Sequence, residues 1–280
     1  MTSYVAKPVV IERTELERRC KLLRSLHVPG SPLVLPNAWD AASAKAVVAA
    51  GFPVVATTSG GVAAALGYDD HERAPADEML AAAARISRSV DVPVTIDAEA
   101  GYGMEPADLV AALKSIGAAG CNLEDTNHAA GTLYDPVQHA DWLRKVREAA
   151  SRQDYGLVIN ARIDVFLSGV LSGSNEPTQR ELVTDALQRA HTCFEAGADC
   201  VFPIALWETE ALTTFIAQAP GPVNVLSFKL APSLAELTRL GVSRFSYGSL
   251  LHRDLMEKFR SLLISLVGNP AIETGAQCES

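Results

Sequence analysis

The chain has 280 residues, of which 48% are hydrophobic and 20% charged, and its formal net charge is -9. This composition supports a sizeable folded core and argues against a disordered chain. The acidic total, with no long basic stripe, argues against nucleic acid or an anionic membrane as a partner. It does not exclude a small anionic substrate, because a metal ion or one arginine can reverse the field locally.

The cysteines and the first residues predict a cytoplasmic location. The five cysteines are scattered, odd in number and form no C-x-x-C pair, which is typical of free thiols in a reducing compartment. The first twenty residues contain early acids and no apolar core, so we predict no signal peptide there. No apolar run approaches the ~18 residues that a bilayer-spanning helix needs. The cysteines are Cys20, Cys121, Cys193, Cys200 and Cys278.

Eight short segments rich in valine and isoleucine predict strands. They are apolar throughout and do not alternate with polar residues, as expected for strands buried on both faces. Polar residues or glycines follow each of them. The predicted strands are 33–38, 53–59, 93–99, 121–125, 157–164, 200–204, 223–228 and 244–249.

Alanine-rich amphipathic stretches between these segments predict helices that end near a glycine or before the next strand. Ser233 and Glu236 form a capping-box pattern that predicts the start of another helix. Residues 168–178 predict a long loop within the domain. The helical stretches are 39–51, 77–90, 108–120 and 181–197, with an N-terminal helix at 13–27 and a C-terminal helical segment at 250–268.

This alternation predicts an α/β fold, namely a single (β/α)8 TIM barrel. Eight strand–helix pairs over ~250 residues fit the barrel better than an open doubly wound sheet. A Rossmann fold is disfavoured because no G-x-G-x-x-G follows the first strand. We therefore predict one domain over residues 1–280, with the barrel from about 30 to 255.

Polar residues cluster at the predicted carboxyl ends of the strands, where catalytic groups of such barrels lie. The cluster contains several acids and an arginine, which cannot remain unpaired in a dry core. In chain order the strand-end residues include Asn37, Trp39, Asp40, Ser59, Gly60, Gly61, Asp97, Glu99, Glu124, Asp125, Arg162, Asp164 and Asn224. Among them we predict that Trp39, Asp40 and Asn224 contribute to substrate binding.

Three of these acids predict a magnesium or manganese site. Carboxylates without nearby histidine or cysteine suit Mg²⁺ or Mn²⁺ better than zinc. Asp97 and Glu99 are two residues apart on a strand and should face the same side, and Glu124 on the next strand can reach the same point. One direct carboxylate with two others holding metal-bound waters would suffice. The alternative is that these acids form ion pairs with Arg162 or cap helices.

Two further features each have a functional and a structural interpretation. The backbone N–H groups of Thr58–Gly61 could bind an anionic oxygen, or the glycines could form a tight turn with positive φ.

His128 and Tyr134 lie in a predicted loop without strong secondary structure. His128 could transfer protons, although a lone loop histidine is more often a solvated surface residue.

Five motifs together resemble the isocitrate lyase/phosphoenolpyruvate mutase superfamily over about residues 30–255. They are PNAWDAASAKAV, TTSGGVAAALGYDD, VTIDAEAGYG, CNLED and NARID. The resemblance implies a (β/α)8 barrel that is often tetrameric, with the last helix exchanged between paired subunits. It also implies Mg²⁺, a 2-oxo acid or its enolate, and the making or breaking of a C–C or P–C bond.

Carried over residue by residue, the resemblance implies that Asp97 binds the metal directly and that Glu99 and Glu124 reach metal-bound waters. Asp70 matches an acid near the metal. The residues implied to hold the substrate carboxylate or enolate oxygen are Ser59, Gly60, Gly61 and Arg162.

The chain also departs from its best-known relatives. It lacks the K-[KR]-C-G-H loop of the lyases after the fourth strand, and Ile204 follows Phe-Pro where those lyases have glutamate. It also lacks the lysine- and asparagine-bearing loop of the phosphonate-forming members. Neither reaction can therefore be inherited from the fold. His128, Tyr134 and Tyr68 are the candidate acid/base groups.

The favoured function is Mg²⁺-dependent C–C cleavage of a small 2-oxo or 2-hydroxy acid, of a methylisocitrate lyase or oxaloacetate decarboxylase type. Three alternatives remain: phosphoenolpyruvate mutase or phosphonopyruvate hydrolase chemistry, a non-catalytic 2-oxo-acid-binding barrel, and a Schiff-base aldolase. Only Lys229 could serve the last of these. We expect a small carboxylate and further copies of this chain as partners, in a homotetramer of helix-swapped dimers.

Overall fold

The computed structural model describes residues 11–167 and 178–268. The helices are α1 (Arg13–Ser25), α2 (Ala41–Ala49), α3 (Ser59–Leu66), α4 (Ala76–Ser87), α5 (Pro106–Ser115), α6 (Pro136–Arg152), α7 (Gln179–Glu195), α8 (Thr209–Gln218), α9 (Leu234–Leu240) and α10 (Leu250–Gly268). The strands are β1 (Leu33–Leu35), β2 (Asn37–Ala38), β3 (Val55–Thr57), β4 (Val94–Asp97), β5 (Gly120–Glu124), β6 (Thr126–Asn127), β7 (Thr132–Leu133), β8 (Val158–Ile163), β9 (Cys200–Pro203), β10 (Asn224–Leu226) and β11 (Arg244–Ser246).

All strands except the β6–β7 pair build a parallel barrel. One ladder runs β2-β3-β4-β5-β8-β9 and the other runs β1-β11-β10. The two ladders meet at Pro36, which has no N–H to donate, so β1 pairs with β11 and β2 pairs with β3. A parallel bridge between Val201 and Val223 joins their other ends. The predicted (β/α)8 barrel is confirmed.

The predicted strands and helices agree with this architecture for a physical reason. Every residue of β5 and β8 is buried, including the polar side chains within them, as expected for strands covered on both faces. The capping box that starts α9 is present, because Glu236 N donates to Ser233 Oγ and Ser233 N donates to Glu236 Oε2. The first predicted strand is one continuous segment in the sequence but two short strands in the structure.

The main local difference lies after β5, where the sequence predicted an unstructured loop. Strands β6 and β7 form an antiparallel hairpin there, with Thr126 opposite Leu133 and Asn127 opposite Thr132. Asn127 Oδ1 accepts from Ala130 N in the turn. This local asparagine bond stabilises the hairpin without an apolar pattern that the sequence could have revealed.

Parts of the sequence predictions lie outside the described residues. They are Cys278 and the loop at 168–177, whereas Thr178 is described and caps α7. The four described cysteines are free and buried. Within residues 11–167 and 178–268, none of the helices has the length and apolar character needed to cross a membrane.

Candidate active site

A cavity of about 600 Å³ opens at the carboxyl ends of the barrel strands. It brings together residues that are distant in sequence, because parallel strands all present their carboxyl ends at one mouth. The predicted site residues on its wall are Ser59, Gly60, Asp70, Asp97, Glu99, Glu124 and Arg162.

Asp97 is the last residue of β4. Its backbone N donates to Thr57 Oγ1 at 2.8 Å, and its Oδ2 accepts from Ser59 N at 3.0 Å. Its other oxygen, Oδ1, is buried and has no hydrogen-bond partner among the described residues. A buried carboxylate oxygen without a donor is costly, so a water or a cation is expected to complete its coordination.

Helix α3 points its N-terminus at this carboxylate. Thr58 is the N-cap, and Ser59 and Gly60 open the first turn on the cavity wall. The interpretation of the two glycines as a tight turn with positive φ is wrong, because both lie inside the helix. A Cβ on Gly60 would lie 2.6 Å from Asp70 Oδ2 and 2.7 Å from Ser249 Oγ, so close packing explains that glycine. The N–H groups of the first turn suit an anionic oxygen.

Glu99 reaches the cavity by a different route from the one the sequence suggested. Strand β4 ends at Asp97, and Glu99 has a left-handed φ of +49°, so strand alternation does not place it. Its Oε1 accepts from Glu72 N at 2.7 Å, and Glu72 Oε1 accepts from Tyr102 N. Burial, reinforced by the charges of Asp97 and Asp70, raises the pKa of Glu99 to about 8.

Glu124 ends β5 and has two charged or titratable neighbours. His128 Nε2 lies 2.5 Å from its Oε1. Arg162 Nη1 lies 2.5 Å from its Oε2, as an ion pair without hydrogen-bond alignment. Burial raises the pKa of Glu124 to about 7, and Arg162 opposes that rise. The hydrogen bond between His128 and Glu124 raises the pKa of His128.

Arg162 is already paired in this structure. Its Nε and Nη2 donate to the two oxygens of Asp164 at 2.6 and 3.0 Å. The predicted ion-pair alternative therefore describes part of this cluster. A guanidinium has five N–H donors, so Arg162 retains donors for a carboxylate on the cavity side.

Asp125 has different hydrogen-bond partners from the other acids. Its Oδ2 accepts from Arg189 Nη1 at 2.9 Å, and its Oδ1 accepts from Asp164 N at 2.8 Å. Burial raises the pKa of Asp125 to about 7, and Arg189 opposes that rise. These partners tie the end of β5 to β8 and α7, so Asp125 serves the framework of the mouth.

Four residues predicted for the substrate site do not line this cavity, contrary to the expected arrangement. Asp40 caps α2 by accepting from Ser43 N, and Trp39 packs edge-on against the ring of His252 at 5.0 Å. Gly61 packs against Thr58 inside α3. Asn224 is fully buried and its Oδ1 accepts from Ser246 Oγ.

His128 lies beside the site and not inside it. It lines a neighbouring cavity of about 500 Å³ that shares Glu124 with the main cavity. Its side chain is 11% exposed and its ring lies 5.5 Å from that of His71. The solvated-surface interpretation of His128 therefore fails, and His128 contacts two residues of the main cavity wall, Glu124 and His71.

Several wall residues were missed in the sequence. Arg253 and His252 come from α10, beyond the last strand, where no strand-end rule applies. His71 lies in the loop after α3 with a φ of +70°. Asn122 lies in the middle of a strand whose apolar pattern hid it. The missed wall residues include Asn122, His71, Ser249, His252 and Arg253.

The donors permit a test of the expected cation. Across residues 11–167 and 178–268, no three histidine, cysteine, aspartate or glutamate side chains are grouped closely enough to hold a metal ion. A Mg²⁺ ion requires fewer than three such side chains, since it keeps several waters and often binds proteins through one or two carboxylates. The buried, unpartnered Asp97 Oδ1 fits the direct ligand in such a site. Glu99 and Glu124, on the same wall, fit acceptors for its waters.

The fold and this mouth define a class: a (β/α)8-barrel protein with an acidic site at its strand ends. The sequence model of the phosphoenolpyruvate phosphomutase family matches residues 23–267. The chain belongs to this family, within the isocitrate lyase/phosphoenolpyruvate mutase superfamily, whose members are lyases and mutases.

Individual relatives support this assignment. The chain is 30% identical to 2-methylisocitrate lyase of Salmonella typhimurium over 229 residues, which cover 74% of each chain. It superposes on the crystal structure of a protein of Burkholderia cenocepacia described as a phosphonomutase, with a TM-score of 0.81 and 38% identity over 88% of this chain and 99% of that one. It superposes on 2,3-dimethylmalate lyase with a TM-score of 0.79 and 25% identity, over 93% and 89% of the two chains.

Proposed function

We propose that the chain is a Mg²⁺-dependent C–C lyase that acts on a small 2-oxo or 2-hydroxy carboxylic acid through an enolate. The observation that carries the proposal is the buried Asp97 Oδ1, which lacks a partner beside the N-terminus of α3. The relationship to 2-methylisocitrate lyase supports C–C cleavage.

In this proposal Asp97 holds the cation directly, and Glu99 and Glu124 hold its waters. Mg²⁺, or Mn²⁺, would polarise the substrate's 2-oxygen and stabilise the negative charge that develops there. The raised pKa of Glu99 supports this, since its carboxylate lacks a compensating positive charge among the described residues that contact it.

The remaining wall residues bind and orient the acid. The N–H groups of the first turn of α3, at Ser59 and Gly60, stabilise an anionic oxygen. The spare N–H donors of Arg162 hold the substrate carboxylate. Arg253, exposed at the rim, supplies a second cation for a diacid. Asp70 stays near the metal site, against Gly60.

C–C cleavage of a hydroxy acid needs one proton removed and one returned. A base takes the hydroxyl proton, the C–C bond breaks, and its electron pair forms the enolate, which an acid then protonates. His128 is our candidate for this exchange, through Glu124 at 2.5 Å. We expect His128→Ala to lower kcat while oxalate binding, measured by calorimetry, stays intact. The exposed His191→Ala is the control, and equal kcat in both variants would contradict the role.

P–C bond chemistry is the second candidate function. It is favoured by the 38% identity to the Burkholderia cenocepacia protein described as a phosphonomutase. A non-catalytic barrel that binds 2-oxo acids is the third. A Schiff-base aldolase has less support, since Lys229 is exposed after β10 and does not line the cavity.

One screen distinguishes these functions. The purified chain is given C3 to C7 2-oxo and 2-hydroxy acids and phosphonopyruvate, with Mg²⁺ or with EDTA. Release of pyruvate, glyoxylate or CO₂ from a 2-oxo or 2-hydroxy acid only with Mg²⁺ supports the lyase. Phosphate release from phosphonopyruvate, or its conversion into phosphoenolpyruvate, supports the second candidate. Turnover that is equal in EDTA would refute the metal-dependent proposal. A borohydride-trapped pyruvate adduct on Lys229 would establish the Schiff-base alternative instead.

We also propose that the chain forms a homotetramer of helix-swapped dimers in the cytoplasm. Free, buried cysteines agree with a reducing compartment. Helix α10 carries an unusually large exposed apolar stripe, which is typical of a protein interface. Light scattering after gel filtration measures the mass, and a monomer at micromolar concentration would refute the assembly. The stripe contains Leu255, Met256, Phe259, Leu262, Leu263 and Ile264.

A further inference from the structure

Asn122 is a polar side chain on the wall of the main cavity that the proposed chemistry has not used. It lies on β5, in register between Asp97 of β4 and Asn160 of β8. The residue is 9% exposed and lines the cavity together with Asp97 and Glu124. Its amide therefore lies next to the carboxylate expected to hold the metal.

The orientation of this amide is fixed by two donors. Asn160 Nδ2 donates to Asn122 Oδ1 at 2.9 Å, and Arg244 Nη2 donates to the same oxygen at 3.1 Å. A guanidinium only donates, so the oxygen of Asn122 must face Arg244. The amino group of Asn122 is left on the other side, and none of the described residues accepts a hydrogen bond from it.

Arg244 is an unusual residue for the inside of a barrel. It is 1% exposed, and Asn122 Oδ1 is the acceptor that its side chain reaches, whereas its Nε and Nη1 have no partner among the described residues. Burial lowers the pKa of Arg244 from its ordinary value, yet an arginine remains charged in proteins. A buried guanidinium without an ion pair costs stability, so packing does not explain it.

We propose that Asn122 Nδ2 donates a hydrogen bond to an oxygen of the bound acid, and that Arg244 is the positioning residue that holds Asn122 in this orientation. The inference rests on the proposed function for the class of ligand, a 2-oxo acid or its enolate. An amide N–H beside Asp97 recognises an acceptor oxygen and offers nothing to a donor such as an ammonium group. The carboxylate or the 2-oxygen of the acid supplies that acceptor.

The test measures oxalate, an enolate mimic, by calorimetry in the presence of Mg²⁺. We expect Asn122→Leu, which is close in size, to weaken oxalate binding by about tenfold, as for the loss of a hydrogen bond to a charged ligand. Arg244→Met should weaken it by a similar factor in the wild-type background. In the Asn122→Leu background, Arg244→Met should cause no further loss, because its effect passes through the missing amide.

Two additional variants keep the test decisive. Arg244→Lys should retain most of the affinity, since its ammonium group keeps the charge and donates from a position only one bond short of Arg244 Nη2. Circular dichroism shows whether Arg244→Met folds. If it does not, Asn160→Leu removes the second hydrogen-bond donor to Asn122 Oδ1 and can replace it in the double-mutant cycle. Its loss of affinity should likewise vanish in the Asn122→Leu background.

The outcomes separate this inference from the proposed function. Absence of oxalate binding to the wild-type chain would overturn the proposed function and, with it, this inference. Normal binding by Asn122→Leu would overturn the role of Asn122 alone. An equal loss on changing Arg244 in both backgrounds would overturn its positioning role, because a general structural or electrostatic effect does not depend on the Asn122 amide.

Discussion

The acids at the mouth of the barrel fall into two groups that differ in how their charge is balanced. At the end of β5 and β8, Asp125 and Asp164 each contact an arginine side chain at 3.0 Å or less. At the end of β4, Asp97 and Glu99 accept hydrogen bonds from backbone N–H groups, and no arginine or lysine bond to them is present in the described residues. Asp125 and its arginine hold the framework, whereas the unpaired Asp97 and Glu99 indicate where a cation would bind. Glu124 lies between the two groups, because it contacts Arg162 and also lines the cavity.

The largest expected effect on activity comes from a substitution in the unpaired group, at Asp97. Asp97→Asn keeps the shape and the acceptor for Ser59 N but removes the charge. We expect Mg²⁺-dependent turnover to fall roughly a thousandfold, as expected when several kcal/mol of transition-state stabilisation are lost. Mg²⁺ should raise the Tm of the wild-type chain and leave that of Asp97→Asn unchanged. Full turnover in Asp97→Asn would show that the cation binds elsewhere.

A substitution in the paired group should lower the stability of the chain and leave its metal binding unchanged. Asp125→Asn removes the buried one of the two ion-pair partners of Arg189, so we expect the free energy of unfolding to fall by about 3 kcal/mol. Asp185→Asn is the matched control, because Asp185 is a half-exposed partner of the same arginine and should cost less than about 1 kcal/mol. Urea unfolding measures both. Equal losses would contradict the division between framework and site.

The barrel and the acidic mouth were predictable because each rests on a simple physical pattern. Strands buried on both faces are apolar along their whole length, and the acids stand out where those strands end. Asp97, Glu99 and Glu124 do reach one cavity. The sequence could not show that Glu99 gets there through a left-handed backbone conformation, or that its carboxylate accepts a hydrogen bond from Glu72 N.

The remainder of the site depends on contacts that are distant in sequence. Arg244 and Asn122 lie within apolar strands, and only the closed barrel brings them together. Arg253 and His252 reach the cavity because α10 packs back over the mouth. Trp39 and Asp40 do not line the main cavity, since proximity to a strand end does not determine side-chain direction. Asp40 instead satisfies the free N–H groups that open α2.

The paired side also contains a neutral group that pH should test. Burial and the nearby charge of Arg189 lower the pKa of His139 from 6.5 to about 4, with Asp164 opposing. Its ring packs against Cys193 and Trp142. Between about pH 6.5 and 4 the unfolded chain protonates this histidine more readily, so the contribution of His139 to stability should fall as pH falls, by roughly 2–3 kcal/mol in total. The raised pKa values of Glu124 and Asp125 contribute in the opposite direction.

Chemical unfolding at a series of pH values between 4 and 7 measures this dependence. His139→Gln removes the titrating ring, so the difference in stability between the wild-type chain and this variant should shrink as pH falls through that window. The exposed His191→Gln is the control and should leave the slope unchanged. A wild-type slope that survives His139→Gln would assign the pH dependence to another group and would remove His139 from the description of the paired side.

The smallest expected effect concerns the rim, where Arg253 lines the cavity outside both acid groups. If the substrate is a diacid, Arg253→Met should raise its KM about tenfold, the loss of one charge-assisted hydrogen bond at an exposed position, and should hardly change kcat. Arg260→Met on the same helix is the matched control, because Arg260 is exposed and pairs with Glu257. A monoacid substrate should be insensitive to both changes. An equal rise of KM for mono- and diacids would mean that Arg253 binds the same carboxylate as Arg162. The substrate site beside the unpaired acids of β4 would then include α10.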